Sequence, residues 1–215
     1  PHATPLGELC AGLEERLAGY RIAELTPASA GGGSRQQANW KVVVDNYLEG
    51  YHVPIAHPGL MRLLDYQNYT ADVHEHWVWF DAPLRDKPSD NRLERLYQKL
   101  ASPMPGLSEA DRNIWRYVFI YPNTTIDLYP DQVNTWRLEP DGVGTTKDAL
   151  GVYRPAGASR RSTIALSAQC TAFTPRQPCR RRPIISVPNT SQDSTLSTVL
   201  CTSFCASRSS TNSTR

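Results

Sequence analysis

The chain has 215 residues, with 23 Lys and Arg against 21 Asp and Glu and a net charge of +2. That length is enough for one domain with its own core, and the near-neutral total gives no reason to expect a nucleic acid as partner. There is no apolar run long enough to cross a membrane and no signal-peptide pattern, so the sequence reads as cytoplasmic.

Leu6, Leu9, Leu13 and Leu17 step at helical intervals, which predicts a short amphipathic helix over residues 5–19. Arg21 to Leu25 reads as a strand. The run from Ala28 to Ser34 is a Gly, Ser and Ala loop. Its triple glycine is followed by neither Gly-Lys-Ser/Thr nor a G-x-G-x-x-G pattern, so it is a flexible segment rather than a phosphate cradle.

Next comes the stretch around which the chain is organised, Asn39 to Pro58. Trp40, Val43, Val44, Tyr47, Leu48 and Tyr51 recur at helical spacing and form one apolar stripe. Asn39 is a good N-cap for it. Pro54 cannot continue a helix, so the helix is predicted to end near His52 or Val53. On an unbroken helix, residues five apart point about 140° away from each other; a break at Pro54 lets His57 fold back toward His52. Glu49, three residues before His52, falls on the same predicted face. A carboxylate there can hold the spare ring N–H of a ligating histidine. Two imidazoles and such an acid are half of a divalent transition-metal site, and a carboxylate ligand would complete a two-histidine facial triad. On spacing alone, two histidines at a helix end are more often simply polar residues.

The motif Asn-Trp-Lys followed by Asp-Asn-x-x-Glu-x-Tyr-His-x-x-x-x-His-Pro resembles the iron-binding helix of the Rieske-type non-haem iron oxygenases. These are the alpha subunits of aromatic-ring-hydroxylating dioxygenases and their monooxygenase relatives, including a choline-monooxygenase-like branch. The resemblance covers roughly residues 4–155. It implies that His52 and His57 are iron ligands, that Glu49 relays electrons to the iron, and that Asn46 lines the site. It also implies a mononuclear Fe(II), a [2Fe–2S] Rieske cluster, electrons from NAD(P)H through a reductase or ferredoxin, a homotrimer, and a small organic substrate, either an aromatic acid or a quaternary amine. The implied fold is α+β: a helix-grip (START-like) domain in which a curved antiparallel sheet grips a long C-terminal helix. The Rieske cluster needs Cys-x-His and Cys-x-x-His pairs, and no Cys of this sequence is followed by His at either spacing. Its ligands are therefore expected to be absent here. A helix-grip module that carries a hydrophobic ligand without catalysis, and an inactive broken gene product, are the alternatives.

Beyond the motif, Asp72 to Phe80 alternates as a strand and includes His74 and His76. His-x-His can bind metal, but the resemblance gives this pair no role. Leu93, Leu96, Tyr97 and Leu100 predict an amphipathic helix between Ser89 and Ala101, and Met104 to Gly106 a loop. Ile114–Tyr121, Thr124–Leu128, Gln132–Glu139 and Thr145–Tyr153 are successive strands, separated by Pro-Asn, Pro-Asp and Pro-Asp-Gly turns.

The near-neutral total hides two unlike parts. Residues 1–155 hold 15 Lys and Arg and 20 Asp and Glu; residues 156–215 hold eight Arg, no Lys and one acid, Asp193. All five Trp and all ten Tyr lie in the first part. The reading is therefore residues 1–34 as the end of a Rieske domain and its linker, 35–155 as a partial catalytic domain, and 156–215 as a basic, disordered, Ser-, Thr- and Arg-rich tail. The abrupt change in composition suggests that the tail is translated out of frame. Asp193 is the one acid placed downstream where the resemblance calls for a third ligand, and its Ser- and Thr-rich surroundings do not favour a helix. The 215 residues alone are expected to have no oxygenase activity.

Overall fold

Alternating apolar residues and tight turns build one antiparallel sheet, as seen in the computed structural model, which describes residues 3–28 and 33–157. Its strands are β1 (Leu25–Pro27), β2 (Arg35–Gln36), β3 (Thr70–Val73), β4 (Trp77–Pro83), β5 (Ile114–Ile120), β6 (Thr124–Tyr129), β7 (Gln132–Pro140) and β8 (Thr146–Pro155). The order across the sheet is β1-β8-β7-β6-β5-β4-β3, and β2 also pairs with β8. From β3 to β8 the strands follow one another as a meander, the topology expected of short turns between strands. Asp193 and the rest of the tail lie outside the described residues, as does the region in which a gripping C-terminal helix would fall.

Each face of the sheet buries its own layer. On one side, Trp77, Trp79, Val118, Leu128 and Val133 pack with Leu13, Tyr20, Met104 and Leu107 from the segments before and after the first strands. The opposite side carries Ala82, Trp115 and Tyr129, covered by Leu60, Leu63, Leu64 and Tyr97, and farther along Phe119 and Leu138, covered by Val44. Trp115 and Val118, on the one strand β5 but on opposite faces of the sheet, are wholly inaccessible.

Several predicted boundaries move, for identifiable reasons. The helix expected over 5–19 is two, α1 (Leu6–Leu9) and α2 (Leu13–Leu17), because Gly12 takes a left-handed conformation (φ +80°) between them. The strand expected at Arg21–Leu25 is mostly a 3₁₀ turn over Ile22–Glu24, and extended pairing begins only at Leu25. The single strand expected over Asp72–Phe80 is a hairpin: His74, Glu75 and His76 form the bend between β3 and β4. The helix of residues 89–101 is shorter, α6 (Arg92–Leu100), capped by the Asn91 side chain. Its predicted apolar stripe is buried only at Tyr97. Leu93 and Leu96 are exposed, while Glu94 and Tyr97 point inward. Burying Glu94 is possible because Arg62 and Ser89 both hydrogen-bond its carboxylate.

The site helix also ends early. α3 spans Trp40–Leu48, and Asn39 caps it by accepting the Lys41 backbone N–H at 3.0 Å. Glu49 is already extended, and Tyr51, assigned to the apolar stripe, is exposed. Pro54 does not stop a long helix. It lies in the first turn of a new one, α4 (Val53–Ala56), and Pro58 opens α5 (Pro58–Leu63) in the same manner. Proline suits that position because its fixed φ is helical and no N–H is needed there.

Candidate functional site

Three short helices in succession place the two histidines. His52 is the N-cap residue of α4 and His57 that of α5, so both lie at turns rather than on one helix face. The intervening α4 is a single turn, and it brings the rings to a centroid separation of 5.0 Å with planes at 75°. The fold-back expected from the proline break is present, made by two helix starts rather than by one helix end.

Glu49 reaches His52 across the Gly50–Tyr51 bend rather than along a helix face. Its Oε2 accepts the His52 backbone N–H at 3.1 Å, and its Oε1 lies 2.5 Å from His52 Nδ1. A carboxylate beside Nδ1 fixes the proton on that nitrogen. Nε2 is then the nitrogen with a free lone pair. His57 is partly buried, and burial together with the neighbouring His52 lowers its pKa to about 4. It is therefore neutral across the physiological range, the state a metal ligand requires. Asn46 is half-buried on the last turn of α3.

These residues suit a divalent transition metal as far as they go: two imidazoles converge, His57 neutral and His52 oriented by a carboxylate. No cluster of three or more His, Cys, Asp or Glu able to hold a metal occurs among the described residues. His74 and His76 sit apart in the β3–β4 bend. His74 stacks on Trp77 at 3.6 Å and pairs with Asp72, while His76 lies 3.8 Å from Glu75.

Sequence reading missed one group under the site helix. Asp127, on β6, is buried with 6% exposure. Tyr47 Oη on α3 donates to its Oδ1 at 2.9 Å, and Trp136 Nε1 on β7 donates to its Oδ2 at 3.0 Å. Burial raises its pKa to about 6, against the opposing effect of those two bonds. The available signal was its place in Thr124–Tyr129: strand alternation sets Asp127 on the same face as Thr125 and Tyr129.

Comparison with known proteins gives a consistent result. A family model described as "Ring hydroxylating alpha subunit (catalytic domain)" matches residues 24–178. The chloroplastic choline monooxygenase of Arabidopsis thaliana is 36% identical over 105 residues, 48% of this chain and 21% of that protein. The chain thus spans about a fifth of that relative's length. A solved quaternary ammonium Rieske monooxygenase aligns with a TM-score of 0.62 at 22% identity, over 80% of this chain and 44% of that one. Naphthalene 1,2-dioxygenase from Rhodococcus sp. aligns with a TM-score of 0.59 at 15% identity, over 81% and 46%. At such identities the structural matches establish a shared fold, an antiparallel sheet with few helices.

Proposed function

The chain belongs to the family of ring hydroxylating alpha subunits (catalytic domain), and on that premise we propose that His52 and His57 hold the mononuclear iron of an oxygenase acting on a small organic substrate. The family is one of Rieske-type non-haem iron oxygenases, which are oxidoreductases. The observation that carries the assignment is the grip of Glu49 on His52 with the neutral His57 ring 5.0 Å away.

In this reading His52 and His57 would bind Fe(II) through neutral ring nitrogens, and the bound iron supplies the redox chemistry that activates dioxygen. Glu49 holds the proton on His52 Nδ1 and orients the ring. It is also the acid through which electrons would arrive from a [2Fe–2S] Rieske cluster, supplied with NAD(P)H electrons through a reductase or ferredoxin. Asn46, one turn earlier, lines the same place. A homo-oligomer, trimeric as the resemblance implies, is the assembly of this reading. Residues 35–155 are the catalytic portion in this reading. A hydrophobic-ligand carrier on the same fold would have no use for the Glu49–His52–His57 arrangement.

Iron content per chain after anaerobic loading with Fe(II) tests the assignment. His52→Ala and His57→Ala should each hold much less iron than the wild type. Equal iron in all three proteins would rule the pair out as ligands.

A further inference from the structure

The contact between Glu49 and His52 spans the two-residue bend Gly50–Tyr51, and the bend's own side chains do not fix it. Gly50 has none, and glycine has the widest backbone freedom of any residue. Tyr51 is 74% exposed. Glu49 and His52 are themselves only partly buried. Two hydrogen bonds are made locally. Glu49 accepts the His52 backbone N–H, and the Gly50 carbonyl accepts the Val53 N–H at 3.1 Å. Both close the bend on itself or on the first turn of α4, so neither ties it to the sheet.

That tie comes from residues 66–69. A 3₁₀ turn, Tyr66–Asn68, leads toward β3, and Tyr66 Oη donates to the same Gly50 carbonyl at 2.8 Å. A carbonyl oxygen has two lone pairs, and Val53 and Tyr66 use both. Tyr69 stacks on Tyr66 at 6.0 Å with planes at 27°, and it leans on Phe80 of β4 at 5.9 Å. Phe80 is buried in the sheet. A line of contacts therefore runs from the core through two rings to one peptide group. The bare Gly50 backbone lets the rings in. A Cβ there would already touch Tyr69 Cε1 at 3.4 Å, and a larger side chain would displace the ring. A phenylalanine at position 66 could make the same stack. The hydroxyl alone reaches the bend.

We propose that Tyr66 is a positioning residue for the metal site: its hydroxyl, backed by Tyr69 and Phe80, fixes the Gly50 peptide and so holds the Glu49 carboxylate against His52 Nδ1. The purpose of this clamp rests on the iron reading; its geometry belongs to the chain without metal. When the hydroxyl is removed, the Gly50 carbonyl keeps only the local Val53 N–H among the described residues, and the peptide can turn. Glu49 then meets Nδ1 in only a part of the molecules. The Nδ1–H form of His52, which leaves the Nε2 lone pair for a metal, is no longer the single tautomer.

Long-range ¹H–¹⁵N correlation spectra of histidine-labelled protein, recorded without metal at pH 8, read the tautomer of each ring. The His52 signal is assigned by its loss in His52→Ala. In the wild type His52 should carry its proton on Nδ1. Tyr66→Phe, checked for folding by circular dichroism, should show both tautomers of His52. It should also bind Co(II) about fivefold more weakly, the ratio expected for one ordinary hydrogen bond. Asn68→Ala is the control. It breaks a different bond of the same turn, Asn68 Nδ2 to Asp65 Oδ2 at 2.7 Å, and should leave both readouts at their wild-type values. A wild-type His52 protonated on Nε2, an unchanged tautomer in Tyr66→Phe, an equal change in Asn68→Ala, or a Tyr66→Phe protein that does not fold would each overturn the clamp. The two readings fail separately. If the wild type binds no Co(II) and Tyr66→Phe still alters the tautomer, the clamp stands and the metal assignment fails. If His52→Ala and His57→Ala lose Co(II) while Tyr66→Phe keeps the wild-type tautomer, the metal assignment stands and the clamp fails.

Discussion

At the scale of single residues, the site depends on which nitrogen carries a proton. Glu49 accepts from the His52 backbone N–H and faces Nδ1. In Glu49→Gln one oxygen can still take the backbone N–H, but the amide NH₂ then faces Nδ1 and donates to it. The proton moves to Nε2 and removes the lone pair that a metal needs. Loss of such an outer partner typically weakens metal binding about 10–100-fold. Co(II) titration should therefore give an affinity in Glu49→Gln at least tenfold below wild type, and unchanged affinity would make Glu49 a mere cap. Asp127 makes a second, independent prediction about pH. Its folded pKa is about 6 against an ordinary carboxylate value of 3.8. The folded state therefore binds the proton more tightly than the unfolded chain. The stabilisation is complete below pH 3.8 and lost as pH rises through about 6. A difference of that size corresponds to about 3 kcal/mol. Asn imitates the protonated carboxyl, with its oxygen accepting from Trp136 and its NH₂ donating to Tyr47. Urea unfolding should find Asp127→Asn more stable than wild type at pH 7 and no more stable at pH 4. Asp131, also raised to about 6 by burial, adds the same trend in both proteins and does not alter the difference.

At the scale of elements, the strands were legible and the helix breaks were not. Strands β5 to β8 follow their predicted limits closely because alternation and Pro-Asn, Pro-Asp and Asp-Gly turns mark both the pleat and its ends. The run from Trp40 to Leu63 was misread as one helix and a turn because proline has two meanings: it interrupts a helix interior and favours a first turn. Only the packing of Val53, Leu60, Leu63 and Leu64 against the sheet resolves which applies. Likewise α6 lies within its predicted span, yet Leu93 and Leu96 face outward. The Arg62–Glu94–Ser89 cluster sets its rotation instead, and no local spacing foretells a partner 32 residues away. That cluster ties α6 to α5, the helix that starts at His57. Glu94→Ala removes a 2%-exposed carboxylate and leaves the partly exposed Arg62 unpaired. Because Arg62 keeps some solvent, the expected cost is about 2–3 kcal/mol, below that of breaking a fully buried pair. A fall in melting temperature of several degrees would register it. An unchanged melting temperature would show that Glu94 does not hold α6 in place.

For the whole molecule, the question is whether 215 residues can complete the chemistry that two histidines begin. A facial triad takes its third ligand from a carboxylate. The described residues offer no third group beside His52 and His57, and the acid left downstream in the sequence is Asp193. The cysteine and histidine pairs of a Rieske cluster do not occur in the sequence either, so these residues carry no electron donor of that kind. Both gaps bear on turnover rather than on folding, since β1 to β8 already pair into one continuous sheet. The chain alone, given Fe(II), a reductase, a ferredoxin and a panel of quaternary amines and aromatic acids, should yield no hydroxylated product, and its iron should exchange freely with a chelator. Mixing it with an isolated Rieske domain would restore the missing donor but not the third ligand, so product should still be absent. If product forms and Asp193→Ala abolishes it, Asp193 is the third ligand and the tail is read in frame. If product forms and survives that substitution, the two histidines and a solvent ligand suffice, and the requirement for a carboxylate fails for this protein.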